Sequence, residues 1–121
     1  MSQQKKYTDL TDNVNDGVGF DLRGKEYFLR YPLTHEVEEM KELSDAVTEY
    51  QRQADNAGTQ EIEEQYKEKA KEAGDKLENF IYGLITAVNH DTPIRDALKN
   101  ENIKVMRNFN TMVRTELSLE G

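Results

Sequence analysis

THEVEEMKELSDAVTEYQRQADNAG (residues 34–58), followed by TQEIEEQYKEKAKEAGDKLENFIYGLITAV (residues 59–88), decides the fold. In the first part Met40, Leu43, Val47, Tyr50 and Ala54 recur at alternating steps of three and four, the seam of a helix that packs on another helix. Thr34 stands where a cap is needed, and Glu36, Glu38 and Glu39 suit the positive end of the helix dipole. Asn56-Ala57-Gly58 supplies a stop and Thr59 a fresh cap. A second helix is then expected from about Gln60 to Val88, roughly 43 Å at 1.5 Å per residue. Its seam is Tyr66, Ala70, Ala73, Leu77, Phe80 and Leu84. Helices over 34–56 and 60–88, with matching seams and a short turn, predict an antiparallel helical hairpin of coiled-coil type. Ala70, Ala73 and Gly74 mark its thinner, exposed end, and Phe80, Ile81, Leu84, Ile85 and Val88 its core end.

The flanking segments have other periods. Phe20-Asp21-Leu22 and Lys25 to Tyr31 alternate apolar and polar residues around Arg23-Gly24, which reads as a β-hairpin over 20–31 that Pro32 ends. Phe20 and Leu22 share one face; Tyr27, Leu29 and Tyr31 share another. A lone two-stranded hairpin is marginal in water, so this one must lean on a helix or on a partner. Residues 1–19 are polar and read as a flexible leader. Within them Asp12 to Gly17 superficially suggests a calcium loop, but with Gly17 at its sixth position Val14 and Arg23 fall where ligands are required. Downstream, Thr92-Pro93 is a helix start with Thr as cap and Pro at the first helical position. Two shorter helices are expected within 93–119, broken at Asn100 to Asn102, the last with the stripe Ile103, Met106, Phe109, Val113 and Leu117. The expectation is thus a mainly α fold, an antiparallel long helical hairpin plus two shorter C-terminal helices with a small N-terminal β-hairpin, forming one domain over 20–121.

Charge is unevenly placed. The chain of 121 residues has a formal net charge of -8. Residues 34–79 hold 14 acidic and 6 basic residues, a balance of -8, and the rest holds 10 of each. The acidic balance argues against a nucleic-acid or anionic-membrane binder, since phosphate attraction needs a basic surface. With no cysteine there is no disulfide, thiolate metal site or cysteine nucleophile. No apolar run approaches the roughly 18 residues of a membrane span, and the N-terminus lacks the apolar core of a signal peptide, so a cytoplasmic protein is expected. The acidic segment is either a solvated face that keeps the chain soluble, the favoured reading, or a binding surface.

Little points to chemistry. His35 and His90 lack metal-ligand spacing, and each sits at a helix end beside carboxylates. Gly17, Gly19 and Gly24 fit neither a dinucleotide nor a phosphate-loop pattern, and Ser2, Ser44 and Ser118 lack a nucleophile's context. No enzyme, cofactor or metal is expected. The apolar surplus lies elsewhere: Tyr27, Phe28, Leu29 and Tyr31 on the hairpin, and Met106, Phe109, Met112 and Val113 on the last helix. These residues either close the core or form a partner surface, for which Met and Phe bring adaptability and area. The expected partner-binding set is Tyr27, Leu29, Tyr31, Met106, Phe109 and Met112.

The layout resembles a known family. A polar leader, a hairpin reading Phe20-Asp-Leu-Arg-Gly-Lys-Glu-Tyr-Phe-Leu-Arg-Tyr-Pro-Leu33, and acidic helices thereafter are similar to the tail assembly chaperones of long-tailed bacteriophages, most distinctively in Gly24 to Tyr27 and Tyr31 to Leu33. The resemblance implies a non-enzymatic, mainly helical protein of the host cytoplasm that binds the long helical tape-measure protein and keeps it soluble during tail assembly. It carries over no catalytic or cofactor residue. Two alternatives come from other classes. One is an acidic nucleic-acid mimic that inhibits a host defence protein, with Glu61, Glu63, Glu64, Glu68 and Glu72 as a phosphate-like row; the other is a small head or tail subunit that forms a homo-oligomer.

Overall fold

The computed structural model describes residue 10 and residues 14–117. It is mainly helical with a small antiparallel sheet. Strands β1 (Gly17–Leu22) and β2 (Lys25–Arg30) are followed by helices α1 (Thr34–Asp55) and α2 (Gln60–Gly83), strand β3 (Ile85–Val88), and helices α3 (Ile94–Lys99) and α4 (Ile103–Leu117). The sheet order is β1-β2-β3, so the second strand of the hairpin is the middle strand of three.

The hairpin turns at Arg23-Gly24, where φ is 53° and 84°. Two consecutive positive φ values match the right-handed twist of the flanking strands, which is why a Gly is useful there. The strand begins earlier than the alternation suggests: Gly17 to Gly19, expected in the leader, pair with Arg30 to Phe28. These residues escape a pattern search because Gly has no side chain to alternate. The structure explains Gly17 directly, since a Cβ there would lie 2.1 Å from the Leu29 carbonyl oxygen and 2.7 Å from the Phe28 ring.

The largest departure from expectation lies at the end of the second helix. It stops at Gly83, not Val88, and Ile85–Val88 forms β3, pairing antiparallel with β2 from Leu29↔Ile85 to Glu26↔Val88. Phe80, Ile81, Leu84, Ile85 and Val88 fit a helical stripe, but Gly83 weakens the helix and three of the four residues 85–88 are β-branched. The free edge of β2 supplies ladder partners that decide the matter, and the Arg30 amide donates to the Leu84 carbonyl at 2.9 Å as the chain enters the strand.

Two caps also shift. Leu33, not Thr34, is the N-cap of α1. It has no side-chain acceptor, so Glu36 secures the start instead: its carboxylate accepts the Leu33 amide at 2.8 Å and takes a two-pronged bond from Arg30 at 2.8 and 3.0 Å. Pro93, expected inside α3, is its N-cap, with an extended ψ of 145°. Thr59 does cap α2, accepting the Ile62 amide at 3.2 Å. The expected end of the last helix at 118–119 lies outside the described residues.

One core joins all the elements. Tyr27, Leu29, Met40 and Leu84 are its largest fully buried side chains, with Ile94, Leu98, Phe109, Val113 and Leu117 around them. Burial of each such side chain stabilises the fold by about 1.5–3 kcal/mol. Away from this core α1 and α2 pack on one another through Ala54, Ala70 and Ala73, with the Tyr50 and Tyr66 rings stacked at 6.3 Å.

Leu29 has no exposed surface and Leu33 is 58% exposed. Leu29→Ala therefore costs about 2–5 kcal/mol of unfolding free energy, whereas Leu33→Ala stays within about 0.5 kcal/mol, measured as denaturant midpoints. Arg30, and after it the Leu33 amide, hold the Glu36 carboxyl at about 2, below the ordinary Glu value of about 4.3. The stability this provides is complete above the unfolded-state value and disappears as pH falls toward the folded one. Acid titration of Glu36→Gln against the parent should show a stability gap above pH 5 that closes toward pH 2.

Candidate functional site

Helix α4 is held at both ends by the hairpin. Just before it, Glu101 accepts Arg23 Nε with both carboxylate oxygens, at 3.0 and 2.9 Å, and this contact lowers the carboxyl's pKa. Asn102 then caps the helix, its Oδ1 accepting the Lys104 and Val105 amides at 3.0 and 3.1 Å. Near the other end the Tyr31 hydroxyl donates to Glu116 Oε2 at 2.8 Å, which raises the phenol's pKa. The distances match: six steps of strand from Lys25 to Tyr31 span about 20 Å, and fifteen helical steps from Glu101 to Glu116 about 22 Å.

Between these anchors Phe109 points into the fold, 9% exposed, with Phe20 at 6.1 Å and Tyr82 at 6.2 Å between ring centres. On a period of 3.6 residues, Val105 and Met112 fall to one side of Phe109, and Met106 and Val113 to the other. Each side borders a groove. The first, about 410 Å³, lies between α4 and the hairpin turn, walled by Phe20, Leu22, Leu98, Val105 and Met112. The second, about 300 Å³, lies between α4 and α2, walled by Leu77, Ile81, Tyr82, Met106 and Val113. Phe109 is the ridge common to both. Arg23 closes the polar end of the first groove. At the second, Arg95 lies over the Tyr82 ring at 4.9 Å and is bonded to Asn79. Burial, and then the nearby Glu78, raise the Tyr82 phenol's pKa.

Of the six expected contact residues, the structure brings Met106, Phe109 and Met112 together around these grooves. Tyr27 and Leu29 are 1% and 0% exposed and belong to the core. As residues of the middle strand their side chains are covered: Tyr27 stacks on Phe20 at 5.5 Å, meets the His90 ring edge-on at 4.8 Å and donates its hydroxyl to the Thr92 carbonyl at 2.9 Å. Tyr31 is half-buried and committed to Glu116. Phe20, Leu22, Val105, Leu77, Ile81 and Tyr82 replace them as groove walls. Phe20 and Leu22 could have been singled out from their shared face on β1; the α2 residues could not, because a helical seam is the same whether its partner is α1 or α4.

Several titratable groups elsewhere have structural partners. His90 Nε2 lies 2.8 Å from the Glu26 carbonyl oxygen, and its Nδ1 accepts the Thr92 amide at 3.1 Å. In the acidic row Glu63 pairs with Lys67 at 2.8 Å, and the neighbouring Lys69 ammonium lies 5.4 Å from the Tyr66 ring centre. Among the described residues no three His, Asp or Glu side chains are grouped to hold a metal ion, and no helix is long and apolar enough to cross a membrane. No family model, curated protein or solved structure matches the chain.

Arg23 is two-thirds exposed, so its bond to Glu101 is open to screening. Arg23→Ala should lower the melting temperature at low ionic strength, and the difference should shrink in 1 M salt, where the Debye length is about 3 Å.

Proposed function

We propose that this chain is a non-catalytic assembly chaperone that shelters an extended amphipathic helix of a protein partner, as tail assembly chaperones of long-tailed bacteriophages do for tape-measure proteins. The observation that supports this most is the paired apolar grooves along α4, with Phe109 as their common ridge and methionines on both flanks. A chaperone for a long helix needs apolar contact area that does not collapse into its own core. Phe109 provides a fixed ridge, and Met106 and Met112 adapt to varied side chains because thioethers are flexible and polarizable. Helix-in-groove recognition takes this form, with apolar anchors spaced along one face of the guest. In this reading α1 and α2 act as an acidic coiled-coil arm that keeps the loaded complex soluble in the host cytoplasm, and no substrate is turned over.

Co-expression with a tape-measure fragment provides the test. The parent chain should raise the fragment's soluble fraction and co-purify with it. Met106→Asp combined with Met112→Asp, one change in each groove, should abolish both effects while far-ultraviolet circular dichroism stays helical. Unaltered fragment solubility with the parent chain would overturn the reading.

A further inference from the structure

The second α4 groove does not end where α4 does. Gly74 and Glu78 on its floor also border a larger trough of about 670 Å³ between α1 and α2 that reaches Ala54 and Asp55. The two grooves share these residues and follow one another along α2, and together they are called the channel. Between Lys67 and Tyr82 it covers fifteen helical steps, about 22 Å, or four turns of a guest helix. One end is apolar, with Leu77, Ile81, Met106 and Phe109; the other is shallow and edged by charge.

We propose that this channel seats a basic amphipathic helix of the protein partner, its large apolar residues in the Met106–Phe109 end and its Lys or Arg residues along the α1–α2 arm. The inference rests on the chaperone reading for the helical form of the guest, and adds its track and its charge. Asp55, Asp75 and Glu78 line the channel. Of the two lysines there, Lys67 is already paired with Glu63 at 2.8 Å. The surrounding segment 34–79 carries the whole net charge of -8. A field of that sign attracts a cationic guest and speeds its capture. It also opposes a second copy of this chain in the same place, because that would bring two such arms together.

Gly74 permits a clean block. A Cβ built there meets only the Val47 Cγ2 atom, at 4.0 Å, so the backbone has room for a side chain to start from this point beside the channel. Replacing a mid-helix Gly also removes backbone freedom from the unfolded chain, which favours the helix. Gly74→Leu is therefore an uncharged plug, with Gly74→Ala as the control that adds only the Cβ, and a melting temperature for each shows that the fold is kept.

The probe is an 18-residue fluorescent peptide with Leu on one helical face and Lys elsewhere, compared by anisotropy with its counterpart carrying Glu for Lys. The parent chain should bind the Lys peptide, more weakly as salt is added, and ignore the Glu peptide. Gly74→Leu should weaken Lys-peptide binding at least about tenfold, a factor that corresponds to about 1.4 kcal/mol. Because the plug alters no charge, unchanged binding would mean the peptide is attracted to the arm at large, and the channel assignment would fall. Equal binding of both peptides would overturn the charge assignment. A dimer by light scattering that Gly74→Leu converts to a monomer would assign the channel to a second copy instead. The chaperone reading is separable: a tape-measure fragment kept soluble equally by parent and Gly74→Leu would overturn the channel alone, and a fragment that neither keeps soluble, while the Lys peptide still distinguishes them, would overturn the chaperone role alone.

Discussion

Everything else in the fold is arranged around Tyr27. Its ring is stacked on Phe20 of β1, its edge contact is His90 beyond β3, and its hydroxyl is satisfied by the Thr92 carbonyl before α3. A buried Tyr needs a partner for its hydroxyl, or the burial costs more than the ring contributes. The loop that follows β3 is therefore obliged to return over the sheet and present that carbonyl. This return starts α3 above the sheet, and α4 follows it across the hairpin. One aromatic residue thus ties the loop at residues 90–92 to the sheet.

The anchors of α4 add a second constraint. Arg23 and Tyr31 stand at opposite ends of the hairpin, and Glu101 and Glu116 at opposite ends of the helix. Both bonds can form together only because strand and helix have nearly equal spans. Between those bonds Phe109 is buried, and Met106 and Met112 on its two flanks are half-buried against the core. The grooves flank a helix bonded at both ends, so a guest of the proposed kind would meet them preformed, at a lower ordering cost.

How much of this was legible in the sequence depended on which residues carried the signal. The two long helices up to Gly83, the Arg23-Gly24 turn and the Thr59 cap are local patterns, and each is found where the residues place it. Ile85–Val88 failed for a different reason: its residues satisfy a helical stripe and a strand alternation at once, and the choice is made by the vacant edge of β2, far away in the chain. Gly17 and Gly19 were silent because a strand residue without a side chain leaves no period to read. Among the contact residues the α4 members were legible as an apolar stripe too wide for one packing surface. Tyr27 and Leu29, expected in a partner contact or else in the core, are in the core, because the helices and the loop after β3 cover the hairpin's face.

The His90 contacts determine something a carbon skeleton does not show. A backbone carbonyl can only accept and a backbone amide can only donate, so Nε2, facing Glu26, must carry the ring proton, and Nδ1, facing the Thr92 amide, must be bare. The imidazole is thereby fixed as a single neutral tautomer that bridges the middle strand to the loop behind Tyr27. The loop that completes the Tyr27 pocket is thus fastened by a ring-nitrogen lone pair, a contact with a direction that apolar packing does not have.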